Sequence, residues 1–471
     1  MNLQSITAAF LACVPFCAHA VYLNPQGTGQ ALIYPYYTTQ TVAGSAMNTY
    51  LSIVNQAHTH KALRIRVREG RNGREVASIN VLLPFADTWT AALVPTAQGA
   101  RLITRDKSCT DPAMGIGDSG ESFIDLSNSA FAGSLSDAMG DDVERLREGY
   151  VEVLEMASIE TSETTRLDCD AFRRGQFVFT GPDSTVSGTL TLINVANGME
   201  FSTNATALAS LSRGPLFRTA GDPYPDFDAQ EVSPVAGFII EGKMYRATTP
   251  TGLAAVEAVL TKQTIANEIV LDAATRSGTD WVVTMPTRRF HSSPSPGDPF
   301  LGAFVPGTRD VEASLMTFSR EVTPVADIRN GCDGTCLPGQ SSADLRMPWA
   351  STVWTFKSGT SASASKGTTD VLGARNGWLV TLPTAAENGW GSLMFGHAGL
   401  RVPFVNFNAS DVNLADGATE SGSFRLVGLP AVGFMARTFH NGFLNCAGSV
   451  CQGNYGGLFE HKWQPLIGRV P

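Results

Sequence analysis

The chain has 471 residues, 43% hydrophobic and only 16% charged, a balance that excludes a disordered polymer and requires large packed cores. Its 34 basic and 43 acidic residues give a formal charge of -9, which speaks against a nucleic-acid partner. Beyond the N-terminus no stretch is long and apolar enough for a membrane-spanning helix, although that leaves barrel strands of about ten alternating residues untouched.

Residues 1–20 (MNLQSITAAFLACVPFCAHA) carry no charged side chain, run apolar from 8 to 18 and end in Ala18-His19-Ala20, the small-x-small pattern that signal peptidase recognises. The expected mature chain begins at Val21 and is exported to the cell surface, the extracellular space or the periplasm. The Lys or Arg usual at the start of such leaders is absent. Removal of the leader takes Cys13 and Cys17 with it and leaves Cys109, Cys169, Cys332, Cys336, Cys446 and Cys451. An even set in an exported chain reads as disulfides. Proximity pairs Cys332 with Cys336 and Cys446 with Cys451, which leaves Cys109 for Cys169, a closure of about 4 kcal/mol in the chain-entropy picture.

Short alternating segments then follow one another, as antiparallel sheets require. Residues 31–37 (ALIYPYY) read as a strand that Pro35 marks as an edge, bend or bulge, and Tyr34, Tyr36 and Tyr37 make it a candidate assembly edge. Strands are expected over 49–55, 62–68, 75–83 and 88–94, with Asn72-Gly73 as a tight hairpin turn. In 64–74 (RIRVREGRNGR), Arg64, Arg66 and Arg68 alternate with Ile65 and Val67, which predicts one wet basic face and one core face. A loop insertion spans 109–169, rich in Gly, Ser and Asp over 110–142, with a short helix near 141–147, and 150–156 returns to strand.

Further strands are expected at 177–180 and 188–195. The Pro-rich segment 214–230 reads as a domain boundary, 253–269 as a helix with Val256, Leu260, Ile265 and Ile269 on one side, and 281–285 as a strand. The last third repeats the β pattern at 351–356, 378–382, 390–395, 423–429 and 432–439. The fold class is mostly β, with antiparallel sheets in two sandwich-like domains, short helices and long loops. The domains are 21–215, an intermediate α+β segment 216–300, and 301–471.

Chemistry has little to hold on to. Gly117-Asp118-Ser119-Gly120 resembles the nucleophile segment of chymotrypsin-like serine proteases, but Glu121 breaks the pattern, and neither His58 nor His60 has that family's sequence context. Gly359-Thr360-Ser361-Ala362-Ser363 looks like the serine segment of subtilisin-like proteases, yet it lies in a Ser-rich run expected to be a flexible loop. Asp222, Asp226 and Asp228 are close enough to share a calcium ion, although they do not follow the spacing of an EF-hand. Glu152 and Glu155 are formally available for paired-carboxylate hydrolysis of a sugar, and Trp349, Trp354, Trp378 and Trp390 for stacking on carbohydrate. No cofactor other than calcium is suggested.

The expectation is a noncatalytic secreted or cell-surface protein with a structural, assembly or adhesion role, self-associating or binding a surface polymer. An extracellular carbohydrate-binding protein or glycoside hydrolase is the alternative. The segments LIYPYYT, RVREGRNGREV and GLPAVGF resemble stretches of bacterial exported proteins of no assigned chemistry, and the likeness identifies no family.

Overall fold

The computed structural model describes residues 20–137, 139–160, 167–240, 243–291, 314–319, 324–328, 347–360, 363–383, 387–395, 404–412, 419–446, 448–464 and 466–469. The fold is mostly β, and among the described ladders one, Ser351–Gly359 with Gly377–Pro383, is parallel.

Two antiparallel sheets build the first half. One runs in the order Tyr22–Leu23, Thr206–Ala209, Ala31–Thr38, Glu148–Ile159, His60–Glu69, Glu75–Leu83, Cys109–Asp111. The other runs Gly115–Ile116, Ser122–Asp125, Gly99–Thr104, Thr88–Thr96, Asn48–Asn55, Val186–Asn194, Met199–Asn204. In Val186–Asn194 every second residue is buried and those between are half-buried, as a strand with one covered face should be. Its Leu190 and Leu192, with Leu51, Ile53 and Trp89, share one apolar cluster with Leu32, Tyr34, Ile65 and Val67 of the first sheet. This is a sandwich core.

The segment expected at an edge lies inside. Ala31–Thr38 has Glu148–Ile159 on one side and Thr206–Ala209 on the other, and Tyr34, Tyr36 and Tyr37 are buried. Pro35 is tolerated because the register shifts between Gly149 and Val151, so the strand bulges where proline lacks its donor. The N-terminal edge is closed as well: Val21 donates its N–H to the Val235 carbonyl at 2.7 Å and accepts from Gly237 at 2.8 Å.

Asn72-Gly73 does sit in the turn between His60–Glu69 and Glu75–Leu83. The Glu69 carboxylate accepts the N–H groups of Arg71, Asn72 and Arg74 at 2.7, 2.8 and 3.0 Å. Gly73 is required there, with φ of 69° and a Cβ position only 2.7 Å from the Tyr150 hydroxyl.

The second half adds a six-stranded sheet in the order Ser363–Lys366, Gly377–Pro383, Ser351–Gly359, Gly278–Thr284, Val432–Cys446, Ser449–Glu460, with two five-stranded sheets beside it. Ser363–Lys366 is thus an edge strand inside the run expected to be a flexible loop. Val282, Val353, Phe434 and Leu458 belong to the same cluster as Leu32 and Trp89, so apolar contact continues across the boundaries suggested near 215 and 300.

A row of cross-strand neighbours crosses this sheet: Lys366, Trp378, Trp354, Trp281, Met435, Phe459. Trp378, Trp354, Trp281 and Met435 are buried, and Phe459 ends the row at the surface.

The helix expected over 253–269 stops early. Helix Gly252–Leu260 is capped by the Thr251 hydroxyl, and Thr264–Val270 is a strand. Past Leu260 the sequence supplies β-branched Thr261, Thr264 and Ile265, and pairing with Asn388–Met394 outweighs the apolar spacing that mimics a helix face.

Candidate functional site

The basic strand shows its alternation as expected. Leu63, Ile65 and Val67 enter the sandwich core, and Arg64, Arg66 and Arg68 point the other way. That face is not wet. The three arginines are 1%, 3% and 5% exposed, because the Pro-rich segment lies across them as a strap.

A Pro-rich strap has main-chain carbonyls that its own chain cannot satisfy, since Pro223 and Pro225 bring no N–H. Arginine supplies the donors. Arg64 donates from Nη1 to the carbonyls of Asp222, at 2.7 Å, and Tyr224, from Nη2 to those of Arg218 and Thr219 at 3.0 and 2.9 Å, and from Nε to Asn80 at 2.8 Å. All five guanidinium donors are used. Arg66 donates to the Pro225 and Pro223 carbonyls at 2.5 and 2.6 Å and pairs with Glu75 at 2.8 Å. Burial pushes the Arg64 guanidinium down to about 10.

Arg68 begins a second layer. It pairs with Glu152 at 2.6 Å and Asp226 at 3.5 Å, and Arg289, from the short turn Arg288–Phe290, reaches the same two carboxylates at 3.4 and 2.7 Å. Two cations face two anions, so the network closes on itself. Burial alone would raise the Asp226 carboxyl, but Arg289, Arg68 and Arg66 outweigh it and hold it down at about 2.

The other sequence candidates separate rather than converge. Asp226 is neutralised by arginine, Asp222 caps the Tyr224 N–H at 2.9 Å, and among the described residues no three His, Cys, Asp or Glu side chains group to hold a metal ion. Asp228 is pushed up by burial and by the Asp226 charge. Glu155 pairs with Lys61 at 3.0 Å, so Glu152 and Glu155 serve different cations. His60 accepts the Phe85 N–H at Nδ1, and Gly117 and Gly120 belong to a turn closed by Gly117 and Glu121. Gly117-Asp118-Ser119-Gly120 is thus a turn, and Ser361 and Ala362 of the other serine segment lie outside the described residues.

Cys109 and Cys169 form a disulfide, with Cα atoms 5.1 Å apart, at the two ends of the loop insertion. Cys332 and Cys336 lie outside the described residues. Cys446 and Cys451 occupy the paired strands Val432–Cys446 and Ser449–Glu460, where Cys446 is opposite Ser449 and Cys451 opposite Leu444; their side chains also lie outside the description.

Two further buried carboxylates are ones that composition and spacing do not single out, and the first of them, Glu148, joins the halves. Glu148 accepts from the Tyr36 hydroxyl at 2.9 Å and from the Asn376 N–H at 2.8 Å. Asp280 accepts the Val371 and Leu372 N–H groups at 3.2 and 2.9 Å, and burial pushes it up to about 6.

An open cleft of about 550 Å³ lies where Met199–Asn204 faces the second-half sheets. Asn204, Glu268, Arg437, Phe459, Glu460 and Lys462 are among its lining residues. Glu268 pairs with Arg437 at 2.7 Å, and the Arg437 guanidinium sits 4.7 Å from the Phe459 ring centroid. Trp390, the cross-strand partner of Glu268, is 47% exposed, whereas Trp349, Trp354 and Trp378 are buried. No family model, no curated protein and no solved structure matches this chain.

Proposed function

We propose that the protein is a noncatalytic exported β scaffold, secreted or at the cell surface, with a structural, assembly or adhesion role. The observation that supports this reading is the use of its interior ionisable groups. Arg64, Arg66, Arg68, Arg289, Glu152 and Asp226 serve as struts between the strap and the sheet, bonded to one another and to carbonyls. A general acid or nucleophile needs a free proton-transfer partner in reach of substrate. The N-terminal edge is not part of the proposal, since Val21 and Ala31–Thr38 are already paired.

The test is fractionation of producing cells with N-terminal sequencing. The scaffold reading expects the protein outside the cytoplasm, beginning at Val21. Recovery of the chain in the cytoplasm with residues 1–20 attached removes it.

A second reading, an extracellular carbohydrate-binding protein or glycoside hydrolase, is favoured by the cleft, which Phe459 and Glu268 both line. Titration with neutral oligosaccharides separates the two. Saturable binding lost in Phe459→Ala supports the second reading, and no binding removes it.

A further inference from the structure

Lys61 is fully buried, which is costly for an ammonium unless its surroundings repay it. It sits near the start of His60–Glu69, and three side chains converge on its Nζ. Asp183 Oδ1 is 2.6 Å away, Ser158 Oγ 2.7 Å and Glu155 Oε1 3.0 Å. Glu155, on the neighbouring strand, is also fully buried, and its two oxygens accept the N–H groups of Asp183 and Ser184 at 3.1 and 3.0 Å. One carboxylate therefore touches the amine and fixes the backbone that presents the Asp183 carboxyl. The Asp183 side chain is 42% exposed, so the assembly is dry on the lysine side and open on the aspartate side.

We propose that Lys61 and Asp183 condense into an intramolecular amide cross-link between Nζ and Cγ, with Glu155 carrying the proton. The balance is simple. The Lys61 ammonium gives a proton to the Asp183 carboxylate, leaving an amine beside a carboxylic acid. The Nζ lone pair forms the N–C bond at Cγ and opens its C=O to a tetrahedral centre. Glu155 takes a second proton from Nζ and delivers it to the departing hydroxyl. The C–O bond breaks, the C=O re-forms, and one water leaves through the exposed side. Ammonium and carboxylate become a secondary amide and water; Glu155 ends as it began, and nothing is oxidised or reduced.

Two features favour this over a resting ion pair. Holding amine and carboxyl in contact makes the condensation intramolecular, which raises its effective concentration by orders of magnitude. Burial pushes the Glu155 carboxyl up to about 7 against the opposing charge of Lys61, so it can both accept and return a proton at neutral pH. For Asp183 burial acts upward, but hydrogen bonds from Lys61 and Thr185 outweigh it and hold the carboxyl below its usual range. Placing a proton on Asp183 is therefore the uphill step.

The cross-link would tie the His60–Glu69 strand to the loop before Val186–Asn194, and so one sheet of the sandwich to the other. It is independent of the functional reading. The experiment is peptide mapping of the folded, full-length chain by mass spectrometry. The expected result is a branched peptide joining the Lys61 and Asp183 segments, one water lighter than the two linear peptides together, with no tryptic cut after Lys61. Quantitative recovery of linear peptides cut after Lys61 overturns the proposal. Glu155→Gln, checked for folding by circular dichroism, is expected to give the linear peptides; a branched peptide in that variant overturns the role of Glu155. Should the variant not fold, the map of the unaltered chain decides alone.

Discussion

Arg289 and Asp226 meet at 2.7 Å, joining the turn Arg288–Phe290 to the Pro-rich strap over the sheet that holds His60–Glu69. Because Glu152 and Arg68 complete the same network, removing one member leaves the others buried without full compensation. Arg289→Met should therefore cost about 3 kcal/mol in denaturant unfolding, and adding Asp226→Asn should recover part of that loss. Strict additivity of the two changes would show that the pair is not coupled.

His461 gives a pH dependence of known sign. Its Nε2–H donates to the Val282 carbonyl at 2.9 Å, and burial pushes the imidazole down to about 4. The unfolded chain takes up the proton at the ordinary histidine value, while the folded chain does not until about pH 4. Stability from this group is complete above about 6.5 and falls as pH drops towards 4, by about 3 kcal/mol. Unfolding of His461→Gln across that window should lack this component.

Within the tryptophan row the indole nitrogens differ. Trp281 Nε1 donates to the Glu268 carbonyl at 3.1 Å, whereas Trp354 Nε1 and Trp378 Nε1 have no partner among the described residues. Trp281→Phe should cost about 1 kcal/mol more than Trp354→Phe by thermal or denaturant unfolding, for the extra hydrogen bond lost. Equal costs would assign the whole effect to packing.

The Cys109–Cys169 disulfide closes a separation of 60 residues. Replacing both cysteines by serine should lower stability by about 2–4 kcal/mol. An unchanged denaturation midpoint would mean that the insertion is held by its other contacts.

Strand positions were legible where a strand has one covered face, since period-two burial leaves a period-two sequence, as in Asn48–Asn55 and Val186–Asn194. The pairing of Cys109 with Cys169 was legible by elimination. What cannot be read locally is what covers the second face. Arg64-Ile65-Arg66-Val67-Arg68 has the pattern of a solvated strand, and only the arrival of residues 218–226 from far along the chain makes its polar face an interior one. The tyrosines of Ala31–Thr38 were misplaced for the same reason, since Glu148–Ile159 and Thr206–Ala209 reach them from distant segments. Glu155 was visible as a carboxylate, but its contact with Lys61 and Asp183 depends on three separate segments.

The claim that these arginines are struts beneath a sealed strap is tested most directly by arginine modification with phenylglyoxal, mapped residue by residue in the folded protein. Arg64, Arg66, Arg68 and Arg289 should stay unmodified while the more exposed Arg218 and Arg375 react, and all should react once the chain is unfolded. Modification of Arg64, Arg66 and Arg68 at the rate of Arg218 in the folded protein would contradict the account.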